Sequence, residues 1–582
     1  MTNLKYVATV IRSNKLVKIK TFLCKIPEII STIRNDKIDI VHVHMAERGS
    51  VFREGFVVLL ANVMGCKTVI HMHGADMNKN NLRIATAIIV SGLGVFISYL
   101  INFLLTPYIT DNIGIEAYGF VSLAKNFVNY AQIATIAITS FVVRYISVSY
   151  HERKMQEANE YYSTSVIVCV ALAGVIFISA LLLITKIDLL LNVPQNLIFS
   201  VKLLFLIVFL NFVLTTATTP FTTAAYIKNR LDITGIIKII AYLVDAGVMV
   251  ILFINCTPNV WFVGMGSLAA SVVTFICTYI LSKKLVPELV FNKDFFSVSK
   301  LKNLVGNGIW NSLNSLGNEL NSGLDLIISN LFLNGVATGQ IAVVKTIGTM
   351  FSMLYEVVYQ PFQPNLIKAY ASGDVNIFIN EQKKAMRICG YFSNVAFAGF
   401  VALGGLYYKL WLPSEDTKLL HMLTIVTVLG SVTAGVMRPI YYVYTLTLKN
   451  KLPCWITIAG GFLNVVSMYV LLKYTQMGVY AIVSTTTVIM LCINLFFNPV
   501  YAAYNLKISV KVYYKVIFKH LISAAIMVGG FIGIARVIRP SGWIGLIVSA
   551  IIMCISGLII HVLIMCNMDE KLFLIKKITK RK

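Results

Sequence analysis

From Ile84 to Cys566 the chain repeats runs of about 18 to 25 apolar residues, among them "IVSGLGVFISYLINFLL", "STSVIVCVALAGVIFISALLLI" and "GLIVSAIIMCISGLIIHVLIM". At about 1.5 Å of rise per residue, each is long enough to cross roughly 30 Å of hydrocarbon as a helix. Lipid satisfies no open backbone group, and the period-2 alternation of a barrel strand is absent, so the runs are read as helices. About fourteen spans are expected, centred near residues 95, 132, 174, 208, 245, 270, 317, 348, 398, 432, 463, 489, 526 and 554. With 57% of its 582 residues hydrophobic and 13% charged, the chain is excluded from the ordinary soluble class.

Every second loop is basic: Arg144, Arg153 and Lys154; Lys228 and Arg230; Lys283, Lys284, Lys293, Lys300 and Lys302; Lys368, Lys383, Lys384 and Arg387; Lys449 and Lys451; Lys507, Lys511 and Lys515. The loops between them, such as "TPYITDNIGIEAYG" and "NCTPNV", are poor in cations. The positive-inside rule predicts a multi-pass protein of the cytoplasmic (inner) membrane with both termini and the tail "KKITKRK" in the cytoplasm. An even number of spans satisfies this pattern, whereas one more or one fewer puts half the basic loops outside. The net charge of +25 then sets topology and meets anionic headgroups rather than nucleic acid. Ten cysteines without a C-x-x-C spacing, most of them in apolar runs, argue against a disulfide framework or a metal site, and no cofactor is expected. No cleavable signal peptide is expected, because the first apolar run follows about 80 residues of mixed character.

Those residues read as alternating helix and strand: "IPEIISTIRNDK", "IDIVHVHM", "SVFREGFVVLLANVMGC" and "KTVIHMHGADM". That order predicts a parallel α/β unit. Over roughly residues 20 to 77 it resembles the N-terminal domain of family 4 glycosyltransferases, in which a "DIVHVH" strand and a strand ending in "HGAD" line the acceptor side of a cleft. The resemblance implies acceptor or phosphate binding for His42, His44, His71, His73 and Asp76. The Gly-rich loop and the nucleotide-sugar domain of that family are missing, so the favoured reading is a truncated, inherited fragment whose histidines cap strands. Each H-x-H pair lies on one strand face without an obvious third metal ligand.

The membrane part carries an internal repeat. "EAYGFVSLAK" (116–125) and "VATGQIAVVK" (336–345) align with Ala117 on Ala337, Gly119 on Gly339 and Lys125 on Lys345, each pair 220 residues apart. Both segments follow a cation-poor loop and open the second helix of a six-helix block. The expected fold is therefore all-α and polytopic, with two six-helix halves (82–300 and 301–510), two additional transmembrane helices (511–567), a basic tail (568–582) and the small α/β fragment (1–80). Parallel halves around a central cavity are a recurring transporter plan. Over residues 82 to 510, "IGIEAYGFVSLAKNF", "NRLDITGIIKIIAYLVDAGVMVILF", "GVYAIVSTTTVI" and the number of spans resemble the polysaccharide-transporter branch of the multidrug, oligosaccharidyl-lipid and polysaccharide exporter superfamily, closest to the Wzx flippases. The resemblance implies a non-enzymatic carrier that moves a polyprenyl-pyrophosphate-linked oligosaccharide, an O-antigen or capsular repeat unit, to the outer leaflet. It also implies a polysaccharide polymerase and glycosyltransferases as partners, besides membrane lipids. Related lipid flippases carry two extra helices after a twelve-helix core; these would correspond to residues 513 to 567, and the resemblance implies a role for them in holding the lipid tail.

In "WNSLNSLGNELNSGLDLIISN" and the residues just before it, Asn307, Asn311, Asn314, Asn318, Asn321 and Asp325 are spaced 4, 3, 4, 3 and 4. At 100° per residue they form one narrow stripe, with Ile309, Leu313, Leu316, Leu320, Leu324 and Ile327 opposite. Unsatisfied amides cost several kcal/mol each in hydrocarbon, so the stripe is expected to line a hydrated cavity. Neutral amides suit sugar hydroxyls, which donate and accept as Asn does. The plainer reading, interhelical glue at about 0.6 kcal/mol per bond, suits one or two asparagines better than five turns of them.

Asp245 and Glu319 lie too deep to snorkel and are read as ion-coupling candidates; the alternative is an ion pair with Lys125 or Lys345. Those lysines are cavity cations or snorkel outward. Arg144 and Arg438 lie toward the basic loops, where a pyrophosphate would first enter and a guanidinium could hold it bidentately; for Arg144, anchoring at the membrane edge is an equal reading. Lys202 and Glu356 sit nearer span ends. Competing functions are a cation-coupled multidrug exporter, a membrane-bound glycosyltransferase and a non-transporting scaffold for polysaccharide assembly.

Overall fold

Among the described residues of the computed structural model, twelve helices are long and apolar enough to cross a membrane. The structure describes residues 15–35, 38–46, 57–58, 60–61, 64, 66–73, 79–447 and 449–565. They fall into two units, 1–89 and 90–582. In the first, α1 (Lys15–Asn35) precedes β1 (Ile40–Ala46), which pairs in parallel with β2 (Lys67–His73). Ile29, Ile33, Val43, Val57, Ala61 and Cys66 form its core. The predicted strands are both present, and His44 stands opposite His71 in register. His42 is exposed. Asp76, much of the helix predicted between the strands and the tail 568–582 lie outside the described residues.

The second unit is helical, and its first helix begins eleven residues before the boundary. The first half comprises α2 (Lys79–Asn112), α3 (Ile115–His151), α4 (Met155–Thr185), α5 (Ile198–Ile227), α6 (Leu231–Asn255) and α7 (Trp261–Leu285). The second comprises α8 (Val298–Ser322) continued by α9 (Leu324–Phe332), α10 (Gly335–Tyr359) continued by α11 (Gln363–Ala371), α12 (Val375–Trp411), α13 (Thr417–Leu446), α14 (Lys451–Tyr474), and α15 (Val479–Cys492) continued by α16 (Asn498–Leu506). The added pair, α17 (Lys511–Ile538) and α18 (Gly542–Met565), packs on α12. Each of the fourteen expected centres falls in one of these spans. Two of the spans, α2 and α8, are not among the twelve; α8 carries the asparagines.

Local chemistry sets the boundaries. Side chains of Asn334, Asp374 and Asp416 accept hydrogen bonds from first-turn amides of α10, α12 and α13, satisfying donors that a helix start leaves open. Between α15 and α16 the chain makes a π turn, Ile493–Phe497. Pro499 then removes the N–H that would bond the Leu495 carbonyl, and the Tyr514 hydroxyl donates to that carbonyl at 2.8 Å. Asn394 donates to the His520 carbonyl at 3.0 Å and Tyr391 to the Cys554 carbonyl at 2.9 Å, so polar bonds as well as packing dock the added pair on α12.

The halves share a core only at the end where the loops are poor in cations. There Ile115, Phe120, Val121 and Leu123 of α3 join Ile341, Val343, Val344 and Ile347 of α10 in one buried cluster. At the basic end the cores are separate: Ile146, Tyr162, Ile227 and Leu289 in the first half, Phe378, Met386, Ile440 and Tyr513 in the second. Helix α8 is the exception, since its Leu304 joins the core of the first half. The repeat glycines make the joint. A methyl group added to Gly119 would stand 2.7 Å from the Gly339 nitrogen, and one added to Gly339 would overlap the Ile115 carbonyl oxygen. Here α3 and α10 touch backbone to backbone, a contact only small residues permit.

Gly339→Ala should therefore destabilise the detergent-purified protein by about 1–3 kcal/mol through overpacking. Gly174→Ala, where nothing lies within 4 Å, should not. Thermal unfolding followed by tryptophan fluorescence distinguishes them, and equal melting temperatures would refute the close crossing.

Candidate functional site

Helix α8 is gripped on two flanks and open on a third. On one flank Ser312 donates to the Ile133 carbonyl of α3. On the other, Gly317 lies against Thr457 and Ile458 of α14. Between the flanks Asn307, Asn311, Asn314 and Asn318 are exposed. Of these, Asn307 donates to the Tyr145 hydroxyl at 2.6 Å. Ile309 is also exposed, on the face opposite the amides, with Leu313, Leu316 and Leu320 half-buried around it.

The last two members of the stripe turn to neighbouring helices. Asn321 donates to the Thr457 carbonyl at 2.7 Å, and its own carbonyl accepts from Asn464 at 2.8 Å. Asp325 lies beyond the break at Gly323, on α9, where it is buried. It pairs with Lys345 at 3.2 Å and accepts from the Thr486 hydroxyl at 3.3 Å. Lys345 also donates to the Ser322 carbonyl, and Asn126 donates to the Gly323 carbonyl at 2.9 Å. Glu319 reaches the same break: its carboxylate and the buried, unpartnered Tyr130 hydroxyl both lie against Gly323. The break is thus a polar junction of α3, α8, α9 and α10, with α14 and α15 behind it.

The repeat lysines begin two further polar faces. On α3, Lys125, Asn129 and Gln132 are spaced 4 and 3; on α10, Lys345, Thr349 and Ser352 follow the same spacing at the same 220-residue offset. Such spacing keeps each set on one helix face. Lys125, Gln132 and Thr349 are exposed, while Asn129, Lys345 and Ser352 are half-buried. Sequence reasoning stopped at the lysines; carrying the repeat two turns further would have found these faces. Beside the first, Lys125 and Asp245 line a cavity of about 130 Å³ with Ser98, Asn102, Tyr242 and Ser267. One carboxylate oxygen of Asp245 is buried there without a hydrogen-bond partner.

The remaining candidates lie apart from the junction. Arg144 is exposed, its guanidinium 5.9 Å from the Phe141 ring centre. Arg438 pairs with Glu356 at 3.1 Å toward the basic end of α10 and α13. Lys202 is tied to Asp188 at 2.7 Å at the cation-poor end. Among the described residues no three His, Cys, Asp or Glu side chains converge as metal ligands.

Residues 84–363 match the family of polysaccharide biosynthesis proteins. Over 492 residues, 84% of this chain and 96% of the relative, the sequence is 28% identical to the uncharacterized membrane protein EpsK of Bacillus subtilis (strain 168). The fold is similar to that of the lipid II flippase MurJ in an inward closed conformation, with a TM-score of 0.60, 14% identity, and coverage of 82% of this chain and 98% of that one. It is also similar to an inward-facing multidrug resistance MATE family transporter of the MOP superfamily, with a TM-score of 0.52, 15% identity, and coverage of 73% and 99%. The resemblance read from the repeat and its flanking motifs is borne out: this is a multi-pass membrane protein with the fold of the superfamily's transporters.

Removing one partner of a buried ion pair strands the other charge. Lys345→Met should cost about 3 kcal/mol, and adding Asp325→Asn should recover most of it. Melting curves of the two single variants and the double variant test the coupling, and additive losses would rule it out.

Proposed function

We propose that the protein is a flippase that moves a polyprenyl-pyrophosphate-linked oligosaccharide, such as an O-antigen or capsular repeat unit, across the cytoplasmic membrane by alternating access. The observation that carries this reading is the set of amide and hydroxyl faces on α3, α8 and α10, in a fold whose halves share a core at the cation-poor end and, apart from α8, have separate cores at the basic end. Exposed amides are costly against hydrocarbon, so the open face of α8 belongs to a hydrated path and the Ile309 face to lipid. Asn, Gln, Thr and Ser exchange hydrogen bonds with sugar hydroxyls as both donors and acceptors. A path lined this way replaces hydration that bare lipid would strip from the cargo. The family match, to polysaccharide biosynthesis proteins, supports this class of cargo.

In this reading the basic end is cytoplasmic, by the positive-inside rule, and the separated cores there leave room for a headgroup to enter between the halves. An inside-negative potential favours outward movement of the pyrophosphate by about 2.3 kcal/mol per charge per 100 mV. Asp245 and Glu319 are the proposed coupling acids. A proton or cation bound there biases the two states only by its differential affinity for them. The carrier makes and breaks no covalent bond in the cargo; glycosyltransferases that build the repeat unit and a polymerase that consumes it are its proposed partners.

In proteoliposomes, labelled polyprenyl-pyrophosphate oligosaccharide should change leaflet with the wild type. A variant with Asn311, Asn314 and Asn318 all changed to Leu should insert normally and move it at least about ten-fold more slowly, the equivalent of one or two lost cargo hydrogen bonds. Intact wild type that leaves the lipid in place would overturn the cargo assignment and make drug export the reading to test. For coupling, Asp245→Asn and Glu319→Gln should each be compared under an imposed proton or sodium gradient. Loss of the gradient response with the basal rate kept identifies the coupling acid, and an unchanged response removes that residue from the role.

A further inference from the structure

The α10 face does not end at Ser352. Four residues on, Glu356 continues the stripe toward the basic end and meets Arg438 of α13 at 3.1 Å. The pair is absent from the repeat. At the 220-residue offset Glu356 corresponds to Ile136, and when the fourth-helix prolines Pro220 and Pro439 are aligned, Arg438 corresponds to Thr219. An ion pair needed to pack the second helix of a half against its fourth would recur in the other half. Its exposure argues the same way: the side chains are 30% and 39% exposed, a range in which ion pairs add little to stability.

The arginine is held incompletely. Glu356 approaches one of its terminal nitrogens at 3.1 Å, and the Arg438 Nε is buried without a hydrogen-bond partner. The Tyr359 hydroxyl, on a side chain only 4% exposed one turn beyond Glu356, is likewise buried and unpartnered. Its ring packs edge-on against Tyr442, with ring centres 6.1 Å apart. Tyr359 packs in one cluster with Met437 and Ile440, which flank Arg438. A guanidinium with a spare donor and a spare hydroxyl in that cluster offer a seat to an oxyanion with several acceptor oxygens, since a phosphate group engages the guanidinium fork bidentately.

Resting on the flippase reading, we propose that Arg438 and Tyr359 bind the diphosphate of the cargo and that Glu356 is the internal anion it displaces. The carboxylate keeps the guanidinium in position while the seat is empty and repels the diphosphate until the exchange is made. Glu356 therefore weakens binding while shortening the time the cargo stays.

The test uses the full chain in lipid nanodiscs with farnesyl pyrophosphate as the probe and farnesol as the control for tail binding, read by titration calorimetry. Glu356→Gln should bind the probe about ten-fold more tightly than wild type, and Tyr359→Phe a few-fold more weakly, while farnesol binding stays unchanged. Arg438→Gln should lose most of the affinity, and Glu356→Gln should gain nothing when combined with it. A Glu356→Gln protein of unaltered melting temperature that binds no more tightly, or whose gain survives without Arg438, overturns the seat. Movement of lipid-linked oligosaccharide by wild-type proteoliposomes separates the two ideas. If the wild type transports but the binding pattern fails, only the seat falls; if it does not transport, the cargo reading falls and the seat with it.

Discussion

Hydrocarbon offers no hydrogen bonds, and that one deficit organises the molecule. It makes every span a helix and makes each interruption of a helix a debt that a side chain must cover. Where Pro499 removes an amide, Tyr514 reaches the freed Leu495 carbonyl. At the Gly323 break, Asn126 takes the Gly323 carbonyl and Lys345 the Ser322 carbonyl. The same deficit separates two kinds of asparagine on one helix. Asn321 bonds a neighbouring backbone and belongs to packing, whereas Asn311, Asn314 and Asn318 stay exposed on the open face.

The repeat expresses this economy twice. Glycines let the second helices of the halves touch at the cation-poor end, and the lysines one to two turns on begin matching polar faces. The halves then diverge in how they use charge. Lys125 shares a cavity with Asp245 inside the first half. Lys345 is locked to Asp325 at the break in the second. A common scaffold thus holds one polar pocket with an unpartnered carboxylate oxygen and one closed ion pair.

Spans were legible because twenty apolar residues in a row have one stable solution in lipid, and even the asparagine-rich helix was recognisable from its period. What lay beyond reading was contact between distant segments. The spacing that placed Asn321 and Asp325 on the stripe is correct for an unbroken helix, but Gly323 interrupts it, and their partners Thr457, Lys345 and Thr486 come from elsewhere in the chain. The faces of α3 and α10 went unseen because their polar residues are diluted by Ile, Val and Ala and emerge only when the repeat is extended. Glu356 and Arg438 were each visible as charges; nothing in the linear order joins positions on two different helices of the same half.

The backbone contact of Gly119 with Gly339 lies near one end of two long rods. Helix α3 has 37 residues, so at about 1.5 Å per residue roughly 48 Å of it extends beyond the crossing. A rotation there of about 5° would swing the far tip by roughly 4 Å, most of the width of a sugar ring, while the crossing itself slides by a fraction of an ångström. Were one half to rock against the other, the two glycines would be the fulcrum of the lever, and the small size of their side chains would set how much play it has.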